Sequence, residues 1–297
     1  MKANKTNRRL KVTIFILLLI SSVYYMMFSG AEEAPKSSVI RVGILPDESP
    51  KALQERYSRL IEYLSKETKI QFELVYPKDY SHLLNLFGNH QVDLAYLGGL
   101  TFLKANKLYA ASPIVMREVD TRFTSWFIVK SNQTAKSIVD FKGKTFSFGN
   151  MLSTSGHLMP RYFLENEYGI VAEDYFSNVG HAKTHDVTVQ KISDGEVELA
   201  AVNSNVVQNM LQDGRLKSGD VRVLWESAPY YGNVWVVQKD LQADVKINIR
   251  NAFLNLDINR ATHTKILQDM RTTAFLPAGK SDFSLLETIA IKQGVLE

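Results

Sequence analysis

From Val39 onward, strand-like and helix-like stretches take turns along the chain, and that alternation restricts the fold more than any other feature. Val39-Ile40-Arg41-Val42-Gly43-Ile44-Leu45 alternates as a strand, and Pro50 to Lys66 then places Leu53, Tyr57, Leu60, Ile61 and Leu64 at helical spacing. The same pair recurs through Ile70 to Tyr76 (strand), Asp79 to Asn89 (helix), Val92 to Leu97 (strand), Leu100 to Asn106 (helix) and Ala110 to Met116 (strand). After a strand at Thr124 to Lys130, a second set begins at Phe141 to Phe148 and runs to about Trp225. It holds helices at Gly156 to Tyr168, Asp186 to Ser193 and Asn205 to Gln212, with strands near Phe176 to Val179, Val197 to Val202 and Val221 to Trp225. Val234 to Gln238 reads as a strand able to return to the first set. Helices follow at Val245 to Leu256, Asn259 to Met270 and Leu285 to Gln293. Strand alternating with helix predicts open α/β sheets, and two such sets predict two lobes.

The predicted division is residues 39–123 with 239–297 as lobe 1 and residues 124–238 as lobe 2. Extended crossings are expected near Thr124 to Lys130 and Asn233 to Lys239. Ligands of open α/β sheets sit outside the carboxyl ends of the strands, so two facing lobes place a site in the cleft between them, with hinge closure as the expected motion.

Ahead of the fold, Lys2, Lys5, Arg8, Arg9 and Lys11 precede an apolar run from Val12 to Phe28 that ends at Ser29-Gly30-Ala31. This pattern predicts that residues 1–31 are an export signal or an uncleaved N-terminal membrane anchor through residues 12–28, with 32–38 a polar linker. Without those five cations the formal charge falls from +4 to −1, so the basic balance belongs to the leader and nucleic acid binding has no support. The chain has no cysteine, which excludes a lipid-tethered cysteine, a disulfide framework and thiolate chemistry.

Ser153-Thr154-Ser155-Gly156-His157-Leu158-Met159-Pro160 follows the strand ending Phe146-Ser147-Phe148-Gly149 and leads into a helix. Two readings stand. Ser and Thr are preferred helix caps; equally, free N–H groups and the helix dipole at such a turn favour an oxyanion, to which hydroxyls add donors without adding charge. Ser153 or Ser155 beside a histidine superficially offers a nucleophile and base, but no Gly-x-Ser-x-Gly elbow is present. His181 and His185 stand four apart without the glutamate of a metalloprotease motif. The reading therefore calls for no enzyme activity, no metal and no cofactor. His157 reads as a wall residue of the cleft.

Several segments together resemble a known family: Val42-Gly43-Ile44, Asp79-Tyr80, Val92-Asp93-Leu94-Ala95-Tyr96-Leu97-Gly98, Ser153-Thr154-Ser155-Gly156 with Pro160, His185-Asp186, Gly195 to Val202, and Ser227-Ala228-Pro229-Tyr230 ahead of Val234-Trp235-Val236-Val237. The chain resembles the substrate-binding proteins of phosphonate, phosphite and phosphate ABC transporters, the PhnD-like group of periplasmic binding proteins. The resemblance implies a type II two-lobe fold with open mixed sheets and two hinge crossings. It also implies an exported protein that hands a small oxyanion to an ABC permease; a membrane-anchored sensor module for a small anion is the alternative. Carried over by position, it implies Ser153, Thr154 and Ser155 as the oxyanion cradle, Tyr80 and His185 completing the shell, and Tyr96 lining the first-lobe side. If His185 contacts the ligand, affinity should vary near neutral pH.

Departures from the family pattern matter too. Members that bind aminoalkylphosphonates hold the amine with second-lobe acids, where this chain resembles Asn205 and Tyr231-Gly232-Asn233; Asn203 stands where many members have Asp. Phe123 falls where relatives often carry tyrosine. These departures imply a ligand without an amine: phosphate, phosphite or a simple alkylphosphonate.

Overall fold

The computed structural model describes residues 39–296. The leader and linker expected over residues 1–38, with the apolar run at 12–28, lie outside the described residues. Among those described, no helix is long and apolar enough to cross a membrane.

In chain order the first lobe begins β1 (Ile40–Ile44), α1 (Pro50–Thr68), β2 (Phe72–Val75), α2 (Tyr80–Gly88), β3 (Leu94–Leu97), α3 (Gly99–Tyr109) and β4 (Ser112–Arg117). The second lobe follows: β5 (Ser125–Lys130), β6 (Thr145–Phe148), α4 (Met159–Tyr168), α5 (Ala172–Tyr175), β7 (Asn178–His181), α6 (His185–Asp194), β8 (Leu199–Asn203), α7 (Ser204–Gln212) and β9 (Val221–Glu226). The chain then returns through β10 (Val234–Val237), α8 (Ala243–Leu254), α9 (Ala261–Asp269), β11 (Phe275–Pro277) and α10 (Ser284–Lys292).

Helix α1 shows how local sequence sets these elements. Ser49 caps it by accepting the Ala52 N–H, Pro50 occupies its first turn, and Lys69 in the left-handed conformation (φ 61°) ends it. Its apolar stripe, Leu53, Tyr57, Leu60, Ile61 and Leu64, is buried as the spacing predicts.

The first sheet runs β11-β4-β10-β3-β1-β2 and the second β7-β6-β8-β5-β9. In the first, β1 is parallel to β2 and β3, while β10 is antiparallel to β3 and β4. In the second, β6 is parallel to β7 and β8, and β5 antiparallel to β8 and β9. These are the open mixed sheets expected of a type II binding-protein fold.

The lobe boundaries differ from those drawn from sequence. The predicted division kept residues up to 238 with the second lobe, although Val234 to Gln238 also read as a strand able to return, and β10 does return: it pairs on both sides inside the first sheet and all four of its side chains are buried. A strand covered on both faces is uniformly apolar, and Val-Trp-Val-Val carries no alternation that reveals which sheet will take it. The crossings shift accordingly: Ser125–Lys130 lies within the second sheet, and the chain passes between lobes at residues 118–124 and 227–233. There Phe123 and Tyr230 exchange backbone hydrogen bonds of 2.8 and 2.9 Å in an isolated antiparallel bridge. A Cβ on Gly232 would lie 2.3 Å from the Phe123 ring, so only glycine lets the two crossings pack this closely.

Candidate functional site

Ser153, Thr154 and Ser155 form the entry of a π-helical turn, Thr154–Leu158, that runs straight into α4. Such turns are often found at functional sites. All three side chains are nearly fully buried, as are His185, which opens α6, and Tyr80, which opens α2 on the other lobe. The structure thus brings together five of the eight residues named from sequence.

The hydrogen bonds around Ser153 determine what the site offers. The Gly156 N–H donates to Ser153 Oγ (3.0 Å), which is the capping bond expected of a helix start. His185 Nε2 lies 3.2 Å from the same oxygen. At the far side of the imidazole, Nδ1 accepts the Asn203 N–H (3.3 Å), which assigns the ring proton to Nε2. Ser153 Oγ therefore accepts twice, and its own proton is left to donate.

From the facing lobe, the Tyr80 phenol points toward Ser153, is fully buried and makes no hydrogen bond of acceptable geometry. Burial, and after it the charge of Asp47, raises this phenol well above its ordinary value, so it stays a donor. Thr154 Oγ1 accepts the Leu100 N–H (2.8 Å) across the cleft, from the first turn of α3. That bond leaves the Thr154 proton available as well. The Gly98 cap of α3 has no side chain to satisfy the other first-turn amides, and a Cβ there would meet Thr154 Oγ1 at 3.4 Å. Ser155 faces the Tyr230 phenol, which lies 2.7 Å from Ser125 Oγ. Neutral hydroxyls, a neutral imidazole and a helix N-terminus are buried here close to the seam of the lobes, the kinds of group that hold an oxyanion.

Burial lowers His185 to about 4, against the opposing charge of Glu48. The neutral-pH sensitivity expected of this histidine therefore moves into the acid range. The ring acts as a fixed neutral donor.

Three sequence-named residues lie outside this cluster. The Tyr96 hydroxyl donates to Asp120 Oδ2 (2.9 Å), and Asp120 is also gripped by Arg117 through bonds of 2.8 and 2.7 Å, so Tyr96 anchors the first crossing and has no donor left. Phe123 packs its ring on Gly232 and Tyr230 within the hinge. Asn205 lines a separate cavity of about 380 Å³ between the lobes, together with Arg117, Asn209, Gln212 and Arg271, and its buried Nδ2 has no partner. His157 lies behind the turn, where Nδ1 meets the Met151 carbonyl (3.0 Å) and the ring packs on Phe148 and His181.

The family profile described as "ABC transporter, phosphonate, periplasmic substrate-binding protein" matches residues 42–283, which takes in both lobes and the whole cradle. The chain belongs to that family. A curated member, the probable ABC transporter phosphite-binding protein PhnD1 of Prochlorococcus marinus, is 29% identical over 93% of this chain and 96% of its own length. The phosphate-import protein PhnD of Mycolicibacterium smegmatis is 25% identical over 75% of this chain and 73% of its own. Among solved structures, Prochlorococcus PhnD1 in complex with methylphosphonate superimposes with a TM-score of 0.82 at 28% identity, covering 87% of this chain and 99% of that one. The relatives are substrate-binding transport proteins, and membership places the described fold on the extracytoplasmic side.

Within this family fold, sequence reasoning passed over two acids at the carboxyl end of β1. Glu48 has a fully buried side chain, paired with Arg56 of its own lobe and, across the cleft, with Arg215 (2.5 Å) and Asn209 (3.3 Å). Burial alone would raise its carboxyl, but Arg56 and Arg215 hold it below the ordinary value. Asp47, 9% exposed, hands its backbone carbonyl to the His185 N–H (2.9 Å). The usable signal was positional: Pro46-Asp47-Glu48 directly follows the first strand, where open α/β sheets place their ligands.

Proposed function

We propose that this protein captures a phosphorus oxyanion without an amine (phosphite, phosphate or a simple alkylphosphonate) in the inter-lobe cleft and delivers it to an ABC permease. The observation that carries this reading is the unspent Ser153 proton beside the unpartnered Tyr80 phenol, two buried donors from opposite lobes aimed at one spot. Leaving such donors unmet costs about 1–3 kcal/mol each, so an acceptor belongs between them. Neutral donors suit a carrier, because they hold an anion without the strength of a desolvated ion pair and so allow release.

The absence of an amine from the ligand rests on Asn203, Asn205 and Asn233, amides at places where amine-binding members of the resembled family carry acids. A charge-assisted hydrogen bond of about 1.5–3 kcal/mol is forgone there. Titration calorimetry of the purified protein should show phosphite, phosphate or methylphosphonate binding more tightly than 2-aminoethylphosphonate. The reverse order would refute this choice of cargo, and no binding of any of the four would refute the oxyanion reading itself.

A further inference from the structure

The seam between the lobes holds a second group of unmet donors. A cavity of about 380 Å³ is lined on the second-lobe side by Asn205, Gln208, Asn209 and Gln212, which share one face of α7, and on the first-lobe side by Arg117 and Arg271. None of Tyr80, Ser153, Thr154, Ser155 or His185 lines it, and among the described residues no carboxylate does. Two of the lining residues, one from each lobe, carry a buried donor without a hydrogen-bond partner: Asn205 at Nδ2 and Arg271 at Nε.

The charge beside the cavity is one-sided as well. Arg117 is neutralised by Asp120, which takes two of its N–H groups. Next to it a string of ion pairs crosses the seam, from Arg56 to Glu48, Arg215, Asp213 and Arg271 in turn. In that string three arginines share two carboxylates, which leaves one positive charge in excess, and the string ends at Arg271 on the cavity wall.

We propose that this cavity is a second binding site, for a small organic carboxylate, which bridges the lobes and so favours their engaged arrangement. A carboxylate presents two acceptor oxygens and one negative charge, and the cavity offers two unmet donors beside one uncompensated cation. The volume is more than a bare ion fills, and the carboxamides of Gln208 and Gln212 can donate or accept, as an organic body with hydroxyl or carbonyl groups requires. Because the donors come from both lobes, the site is complete only while the lobes are engaged. Its ligand and the oxyanion of the cradle therefore each raise the other's affinity.

The test is titration calorimetry of the purified protein with succinate and with its neutral counterpart succinamide, each with and without saturating methylphosphonate. Succinate should fill one site under both conditions, roughly 5-fold or more tightly when methylphosphonate is present, and succinamide should bind roughly 10-fold or more weakly than succinate. Arg271→Gln removes the cation and its Nε–H, and Asn205→Ala removes the facing Nδ2–H; each should weaken succinate roughly 10-fold or more. Arg271 also bonds Asp213, so Asn205→Ala, which breaks no ion pair, carries the test if Arg271→Gln does not fold. Succinate that does not bind at about 10 mM, that binds no tighter than succinamide, or that keeps its affinity in both variants overturns the proposal. So does succinate that methylphosphonate displaces, which would make the cavity part of the cradle's own site. A protein that binds succinate and no phosphorus oxyanion refutes the oxyanion reading and leaves the second site standing, so the two failures are distinguishable.

Discussion

At Ser153 one hydroxyl meets two structural demands and still keeps a proton. Ser153→Ala would leave the Gly156 N–H and the His185 Nε2–H without their acceptor and remove one donor from the ligand. With about 1.5–3 kcal/mol for a hydrogen bond to an anion, calorimetry should show affinity for methylphosphonate falling roughly 10- to 100-fold. A variant with wild-type affinity would remove Ser153 from the donor set. Ionisation gives a second prediction at this scale. His185 and His157 are both lowered to about 4 and Asp47 is raised to about 7, burial being the largest cause for each. Between about pH 4.5 and 6 the unfolded chain gains two protons on the histidines, while the folded chain alone holds one on Asp47. The net difference is one proton, so these groups make stability fall by about 1.4 kcal/mol for each unit the pH drops. Removing the opposing acid with Asp47→Asn should roughly double that slope in urea melts. A slope left unchanged would put the Asp47 carboxyl at its ordinary value.

The π-helical turn and its neighbours show what an element adds to its residues. Gly156 carries the turn past His185: a Cβ there would lie 2.7 Å from the His185 ring and 3.0 Å from the Gly149 Cα. Gly156→Ala must push the imidazole or the backbone aside, at about 1–3 kcal/mol in stability, and affinity should fall with it because the ring positions the Ser153 hydroxyl. A variant that melts and binds like the wild type would show that the turn has slack. Which elements exist was legible from sequence because periodicity reports one buried face: α1 and α7 follow their apolar stripes closely. Legibility ended where both faces are covered or the element is very short. β10 offered no alternation to place it, β11 spans three residues, and the extra residue that makes the turn after Ser153 a π-turn leaves no mark in hydrophobic spacing. Part of the site was legible for a related reason: hydroxyls at a strand-to-helix turn are a local pattern, and Tyr80 and His185 came with the family resemblance. Tyr96 was misplaced because a tyrosine in a strand gives no sign of an aspartate waiting 24 residues on. Glu48 was missed because two of its partners, Asn209 and Arg215, come from the other lobe, and Asp47 because what crosses to that lobe is its backbone carbonyl.

The two lobes are engaged, and beside the cradle's own bonds across the cleft, Leu100 N–H to Thr154 and His185 N–H to Asp47, a second set of contacts outside it holds them together. Glu48 is bonded by Arg215 and Asn209 from the second lobe, Asp186 Oδ2 accepts the Ser49 N–H at 3.1 Å, and Arg271 of the first lobe reaches Asp213 at 2.5 Å. Opening about the Phe123–Tyr230 bridge would break all of these while Arg56 stays with Glu48 on the first lobe. The pairs therefore favour the closed state whether or not a ligand is present. A binding-competent state that becomes less populated lowers apparent affinity in proportion, with no change in the cradle. Arg215→Ala removes the partially buried arginine that spans the seam, and a coupling of about 1–2 kcal/mol translates to a roughly 5- to 30-fold loss of methylphosphonate affinity. The loss should appear mainly as faster release in stopped-flow measurements, with scattering of the ligand-free protein shifted toward a more open form. Arg161→Ala breaks an ion pair of similar kind, with Glu173, that lies wholly inside the second lobe, and it should leave affinity and scattering unchanged. If Arg215→Ala and Arg161→Ala behave alike, the seam does not set the closing equilibrium, and affinity is governed by the cradle alone.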